Sequence, residues 1–364
     1  MNIQPSISEL PRLVEALPPE DRAVFRRLFH VSTTVGTVRP PQSMDAWIIR
    51  LFGSVEAVRQ QKIIKVTNLV TFEGALFNEL RARRPMEAKG AGDLKKTIME
   101  NVGDPFCKPL EGTPEDSFGR VKGQHSITAS NIAKYDGFHG VVVFNEHDPL
   151  SFTREGVADY LETALAWGQQ AQDADPRARY FFFMWNCLWK SGASILHGHA
   201  QMTMTADMHY AKVEHLRRVA LDYQSQYDAN YFDDLYRAHA ALGLGFQPGS
   251  VRYLAHLTPI KEKELLVVSP GWNVALKEAI YNVLSCLTGR LGVQSFNLAV
   301  YMPPLARVQE DWQGFPIFVR AVDRGDPNNK TADMGAMELY AASVIAGDPF
   351  AVARALREHL GMAG

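Results

Sequence analysis

The chain is poor in cysteine, in net charge and in long apolar runs, and each shortage argues against a class of protein. Its 364 residues hold 3 cysteines, Cys107, Cys187 and Cys286. They are odd in number and widely spaced, which argues against a disulfide framework and for reduced thiols in the cytosol. Lys and Arg number 38 against 40 Asp and Glu, a formal charge of −2. Nothing in that balance would capture nucleic acid or an anionic membrane. No basic segment followed by an apolar one opens the chain, and no 18-residue apolar run occurs, so neither secretion nor membrane insertion is expected. The expectation is a cytoplasmic protein, long enough for a substantial core and one or two domains.

What is present is concentrated in residues 190–201, Lys-Ser-Gly-Ala-Ser-Ile-Leu-His-Gly-His-Ala-Gln. In a β-strand, residues two apart share a face, so His197, His199 and Gln201 would line one surface over small neighbours. Upstream, Lys190, Ser191, Gly192, Ala193 and Ser194 form a small polar turn whose N–H groups could meet an anion. Imidazole is substantially neutral and nucleophilic near pH 7. One ring nitrogen can attack phosphorus while the other is held as N–H by an acceptor. Gln201 offers a neutral donor to a phosphate oxygen but no titratable proton, which favours a leaving group that is already a phosphate. Two other readings stay open for the same residues. A His-x-His pair can bind zinc or iron as part of a metalloenzyme, and a chain of this kind can bind nucleotides without catalysis.

Gly-x-Ser-x-x-His-x-His-x-Gln, at Gly192, Ser194, His197, His199 and Gln201, resembles the active-site signature of the galactose-1-phosphate uridylyltransferase branch of the histidine-triad superfamily. That branch includes dinucleoside polyphosphate and ADP-sugar phosphorylases. The resemblance implies that His199 forms a covalent nucleotidyl intermediate, with His197, Gln201 and Ser194 beside it. Asn78-Glu-Leu-Arg-Ala-Arg-Arg-Pro85 is similar to a segment whose arginines approach the nucleotide, so Asn78, Arg81 and Arg84 inherit that role; a solvated basic run is the plainer alternative. The stretch from Asn131 to His147 is similar to one that runs from an asparagine to a core strand, with His139 read as structural. Asp333-Met-Gly-Ala-Met-Glu338 resembles a segment that reaches the second substrate, although Glu338 could equally be a helix-start carboxylate.

Zinc-bearing members carry a Cys-x-x-Cys pair, whereas this chain has Cys107-Lys-Pro-Leu110. A set of Cys107, His147 and His197 is one ligand short of closed tetrahedral zinc, so no structural zinc and no required cofactor are expected. The resemblance implies a nucleotide-sugar or dinucleoside polyphosphate as donor, phosphate or a sugar phosphate as acceptor, and a homodimer.

The expected fold is α+β: two histidine-triad-like halves, each an antiparallel sheet with packed helices, behind an N-terminal helical extension. The boundaries read as 1–62, 63–245 and 246–364. Ser6-Ile-Ser-Glu9 has capping-box spacing, and Pro18-Pro19-Glu20-Asp21 opens a second helix. Val141–Phe144 and Phe181–Trp189 read as buried strands, residues 153–172 as a helix, and residues 208–241 as one long amphipathic helix. Residues 295–304 are expected where a second His-x-His strand would fall, with Asn297 and Ala299 in the face positions and no nucleophile.

Overall fold

The computed structural model describes residues 5–83, 92–332 and 334–362. Helices α1 (Leu10–Glu15) and α2 (Pro19–Leu28) lead into strand β1 (Phe29–Thr37). Helices α3 (Asp45–Phe52) and α4 (Val55–Arg59) and strands β2 (Gln60–Asn68) and β3 (Gly74–Phe77) follow. The front end is therefore not wholly helical. Val31-Ser-Thr-Thr-Val35 is rich in β-branched residues, and β1 pairs with β2 along its whole length, from Phe29 opposite Asn68 to Thr37 opposite Gln60. The expected capping box at Ser6 is not formed, since its hydroxyl lies 2.8 Å from that of Ser8 instead.

Helices α5 (Leu94–Glu100) and α6 (Pro109–Gly112) precede the half that carries the histidines: β4 (Ser126–Ser130), β5 (Phe138–Phe144), α7 (Arg154–Ala174), β6 (Ala178–Cys187) and β7 (His199–Ala206). The single helix expected over 208–241 is two, α8 (Ala211–Tyr227) and α9 (Tyr231–Ala241). Asp228 turns left-handed at φ 50°, and the Asn230 carboxamide oxygen accepts from the N–H groups of Phe232 and Asp233, capping α9. The second half runs β8 (Gly245–Phe246), β9 (Arg252–Ala255), β10 (Leu265–Ser269), α10 (Val274–Ser285), β11 (Phe296–Tyr301) and β12 (Ile317–Asp323). It closes with α11 (Ala336–Tyr340), β13 (Ser343–Ile345) and α12 (Pro349–His359).

Both halves contribute to one nine-stranded sheet, ordered β4-β5-β7-β6-β11-β12-β10-β9-β8. Its order shows a repeat: β4-β5-α7-β6-β7 is echoed by β9-β10-α10-β11-β12, and the two copies meet edge to edge where β6 pairs with β11. This corrects one expectation. The counterpart of the histidine strand β7 is β12, whereas 295–304 forms β11, the counterpart of β6. A smaller sheet, β1-β2-β3-β13, joins the front of the chain to its C-terminal region.

Helices α7 and α10 pack side by side over one face of the large sheet. Ala200, Met202 and Met204 belong to the core on that face, where Trp167 and Met202 leave room only for a glycine at position 140. Alternation along β7 therefore turns His199 and Gln201 to the opposite face. Directly paired residues continue that face across the strands: Val141, Gln201, Met184, Ala299, Arg320 and Leu266.

A buried histidine locks α9 to the loop after β9. His239 is fully buried; its Nδ1–H donates to the Leu235 carbonyl at 2.8 Å, and its Nε2 accepts the Leu257 N–H at 3.2 Å. Burial, with the neighbouring His256, lowers its pKa to about 3. The folded protein thus resists a proton that the unfolded chain accepts below about pH 6.5, so this group's contribution is full above that value and is lost as pH falls. Between pH 7 and pH 5 it should cost about 2 kcal/mol of stability. Urea unfolding at the two pH values checks this, and His239→Gln should show a correspondingly shallower pH dependence.

Candidate active site

Three groups of side chains occupy the region that the histidine motif marks. The first is the reactive strand itself. His199 lies at the start of β7, buried, with its Nδ1–H donated to the carbonyl of His197 at 2.8 Å. That bond fixes the tautomer and leaves the lone pair on Nε2. Burial pushes the His199 pKa below its ordinary value, with the His197 carbonyl pulling the other way. Phe106 presents its ring edge-on to His199 at 5.1 Å and to His197 at 6.1 Å.

Gln201 is oriented just as firmly. The Tyr135 N–H donates to Nδ1 of His139 at 3.1 Å, so the His139 proton sits on Nε2. That N–H meets the Gln201 carboxamide oxygen at 2.9 Å, which leaves the Gln201 NH2 as the outward-facing donor. Asn131 places its carboxamide nitrogen 3.3 Å from the same His139 nitrogen, and its oxygen caps the Ala133 N–H. His139 does more than fill space, because it sets the polarity of Gln201.

The second group is a set of side chains that could hold a metal ion. His197 precedes β7 rather than lying in it, and its Nε2–H donates to the Phe144 carbonyl at 2.8 Å. His147 likewise donates Nε2–H to the Ile98 carbonyl at 3.0 Å. Both rings therefore turn Nδ1 lone pairs inward, 3.1 Å apart and 3.4 and 3.5 Å from the Cys107 sulfur. Two lone pairs so close repel unless a cation or proton lies between them. Asp104 completes the cluster, with all four donors within 4.8 Å of one another. One of its oxygens accepts from Phe106 and Cys107 N–H groups, and the other is buried without a partner. Zinc bonds of about 2.0–2.1 Å to nitrogen and 2.3 Å to sulfur give tetrahedral edges of about 3.3 and 3.5 Å. The spacing fits.

The three donors named from the sequence, Cys107, His147 and His197, are brought together, and a fourth candidate donor, Asp104, lies upstream of Cys107, not downstream. The pair is Asp104-Pro-Phe-Cys107, an acid three residues before the thiol, a spacing legible once a carboxylate is admitted as a ligand. His199 is outside the cluster, so His197 and His199 do not converge as a chelating pair.

The third group lies elsewhere. Arg81, Lys190 and Glu338 line a cavity of about 260 Å³ with Lys261, Asp323 and Arg324. Lys190 donates to the Asn329 carbonyl at 2.9 Å and also to that of Thr331. Burial works against the Glu338 charge, but the backbone N–H groups of its own turn, then Lys261 and Arg81, hold its pKa below the ordinary range. Its carboxylate accepts from the Gly335 N–H at 2.9 Å, so the helix-start role is real whatever else it does. Asn78 is occupied locally, capping Leu80 N–H and donating to Gln61. Arg84 falls outside the described residues.

In the turn, Ser191 is buried and its hydroxyl is committed to the carbonyls of Cys187 and Leu188, both at 2.8 Å, so it shapes the turn rather than meeting a ligand. Gly192 adopts φ 99°, a left-handed conformation that favours glycine, and Ser194 is exposed. No helix among the described residues is long and apolar enough to cross a membrane.

No protein-family profile matches the chain, and a comparison with curated proteins gives no match. Solved structures do resemble it. An ADP-glucose phosphorylase from Arabidopsis thaliana, solved with bound ADP-glucose, aligns with TM-score 0.60 at 16% identity over 79% of this chain and 96% of its own. A GalT-like protein from the same plant gives 0.59 at 16% identity over 80% and 97%. A uridylyltransferase gives 0.56 at 15% identity over 82% and 98%. The chain has the α+β fold of these proteins. At such identities the likeness shows the fold alone.

The approach of β7 to β5 is close enough to be tested directly. A Cβ on Gly198 would sit 2.7 Å from the Phe144 ring and 2.9 Å from the Glu146 carbonyl oxygen. Gly198→Ala should therefore cost about 1–3 kcal/mol in unfolding free energy. A melting temperature equal to that of the parent would show that this contact does not hold the histidines.

Proposed function

We propose that the protein is a nucleotidyltransferase that passes a nucleotidyl group through His199. The observation that supports this most is the fixed tautomer of His199: Nδ1–H bound to the His197 carbonyl, Nε2 carrying the lone pair, inside a buried site. Nε2 attacks the α-phosphorus of a nucleotide-sugar or dinucleoside polyphosphate. A P–N bond forms, the P–O bond to the departing phosphate group breaks, and its electron pair leaves on that oxygen. The oriented NH2 of Gln201 donates to the α-phosphate oxygen as charge shifts. Because the leaving group is a phosphate, no general acid is required, consistent with a carboxamide at that position. In the second half-reaction, an oxygen of inorganic phosphate or a sugar phosphate attacks phosphorus and the P–N bond breaks. Arg81, Lys190 and Glu338 are proposed to meet the part of either substrate beyond the nucleotide.

The donor set of Asp104, Cys107, His147 and His197 suits a divalent metal, zinc by its mixture of ligands. Four protein donors make a closed site, so its contribution would be structural: it would tie the 104–107 loop to His197, whose carbonyl aims the His199 ring. The loop also carries Phe106, which packs on both rings. The metalloenzyme alternative is not favoured, because His199 stands outside the donor set.

Incubation with ADP-glucose, UDP-glucose or diadenosine tetraphosphate, followed by intact-mass measurement without acid, should show one added AMP or UMP. His199→Ala should show none and lose at least about 10³-fold in turnover. No adduct from any donor, with His199→Ala at parental rates, would end the proposal. Independently, elemental analysis of the purified protein should find about one zinc per chain, with content falling sharply in Asp104→Ala and returning in Asp104→Cys. Equal metal content in all three proteins would remove Asp104 from the site.

A further inference from the structure

The duplication of the sheet has a consequence for the second half. The counterpart of the histidine strand is β12, and Phe318 and Arg320 occupy its positions on the open face. They share a cross-strand row with Gln201, since Arg320 pairs with Ala299, Ala299 with Met184 and Met184 with Gln201. Three strand spacings of about 4.8 Å put the two positions roughly 14 Å apart. Over Arg320 lies a cavity of about 370 Å³, the size of a small-molecule site, walled by Tyr231, Leu235, Tyr301 and Phe318. It is roofed by the start of α8, which brings Ala211, Lys212 and His215 to its mouth.

The polar end of this cavity is built. Arg320 Nε donates to Glu264 at 2.6 Å, and one terminal nitrogen donates to Glu73 at 2.5 Å. Glu264 is further held by the Ile260 N–H at 2.8 Å and by His256 at 3.2 Å. The other terminal nitrogen of Arg320 is buried and makes no hydrogen bond of ordinary geometry among the described residues, with the Tyr301 hydroxyl beside the guanidinium. A buried guanidinium N–H without a partner costs free energy that a ligand acceptor would restore. Glu73 lines the same cavity, so a donor and a carboxylate acceptor stand side by side above aromatic walls. That arrangement suits the edge of a nucleobase, which presents an acceptor beside an N–H donor on a flat apolar ring. Lys212 at the exposed mouth would meet a phosphate.

We propose that this cavity is a second, non-transferring nucleotide site, which binds a nucleoside monophosphate and holds no nucleophile. It lies in the half that repeats the histidine half, and it rests on the nucleotide reading of the first site only for the choice of probe.

The test is equilibrium binding of AMP and of UMP to the full chain by titration calorimetry, with two variants. Ala211→Trp changes an exposed residue and places a large ring in the mouth without touching the buried charges. Arg320→Lys keeps a cation for Glu264 and Glu73 but removes the unpartnered fork nitrogen. Two sites per chain in the parent, with one weakened at least tenfold in both variants while adduct formation at His199 persists, would support the proposal. One site that both variants leave intact, and that competes with adduct formation, would overturn it and leave the His199 mechanism standing. One site lost in both variants, with no adduct at His199, would support the second site and sink the first. Absence of any binding would sink both.

Discussion

The structure depends on where the protons of a few buried imidazoles are held. His147, His197 and His199 each give one N–H to a backbone carbonyl, of Ile98, Phe144 and His197 respectively. Those of Ile98 and Phe144 are fixed by helix and strand geometry and that of His197 lies just before β7, so the tautomers are set by the fold and not by the solvent. The remaining nitrogens then have predetermined tasks. Those of His147 and His197 face Cys107 and Asp104, and that of His199 is available for attack. One residue, His197, links the two: its ring joins the donor cluster and its carbonyl orients the His199 ring. Any movement of that residue is felt at both places.

The strand order explains why this arrangement occurs on one half only. Each half presents an apolar face to its helix, α7 or α10, and turns the other face outward. Packing constrains the first face to residues such as Ala200, Met202 and Met204, but it leaves the outward face open to change. In the first half that face carries His199 and Gln201. In the second it carries Phe318 and Arg320, with Arg320 paired to Glu264 and Glu73. The two halves therefore share architecture while differing completely in the chemistry of one face.

Much of the site could be read from the sequence because a period of two is unambiguous on a strand. His199 and Gln201 needed only alternation, and Val141–Phe144 needed only an apolar run. The fourth metal donor was harder, since Asp104 is chemically unlike the thiol expected in a Cys-x-x-Cys pair and lies on the other side of Cys107. His139 was harder still. Its partner Gln201 is 62 positions away, joined to it by the pairing of β5 with β7. Strand β1 was legible in its β-branched residues but masked by the proline-bounded helices around it. Assigning the repeat failed for a topological reason: in this sheet, neighbours in space are not neighbours in sequence, so β11 pairs with β6, and β12 is the mate of β7.

The distribution of charge bears on what the reactive strand can do. Around His199 the imidazoles are lowered by burial and Gln201 is a neutral amide, while the Asp104 carboxylate acts on the His199 ring from the donor cluster. Arg81, Lys190, Lys261 and Arg324 line the cavity of about 260 Å³ together with Glu262, Asp323, Asp326 and Glu338, so its charges are balanced. Lys190 belongs to the turn that precedes the motif and is bonded into the 329–331 loop, so that cavity and the histidine strand are joined through one short segment. The charge nearest His199 is therefore that of Asp104, which raises the ring's affinity for a proton against the burial that lowers it, so loss of Asp104 would lower the His199 pKa further.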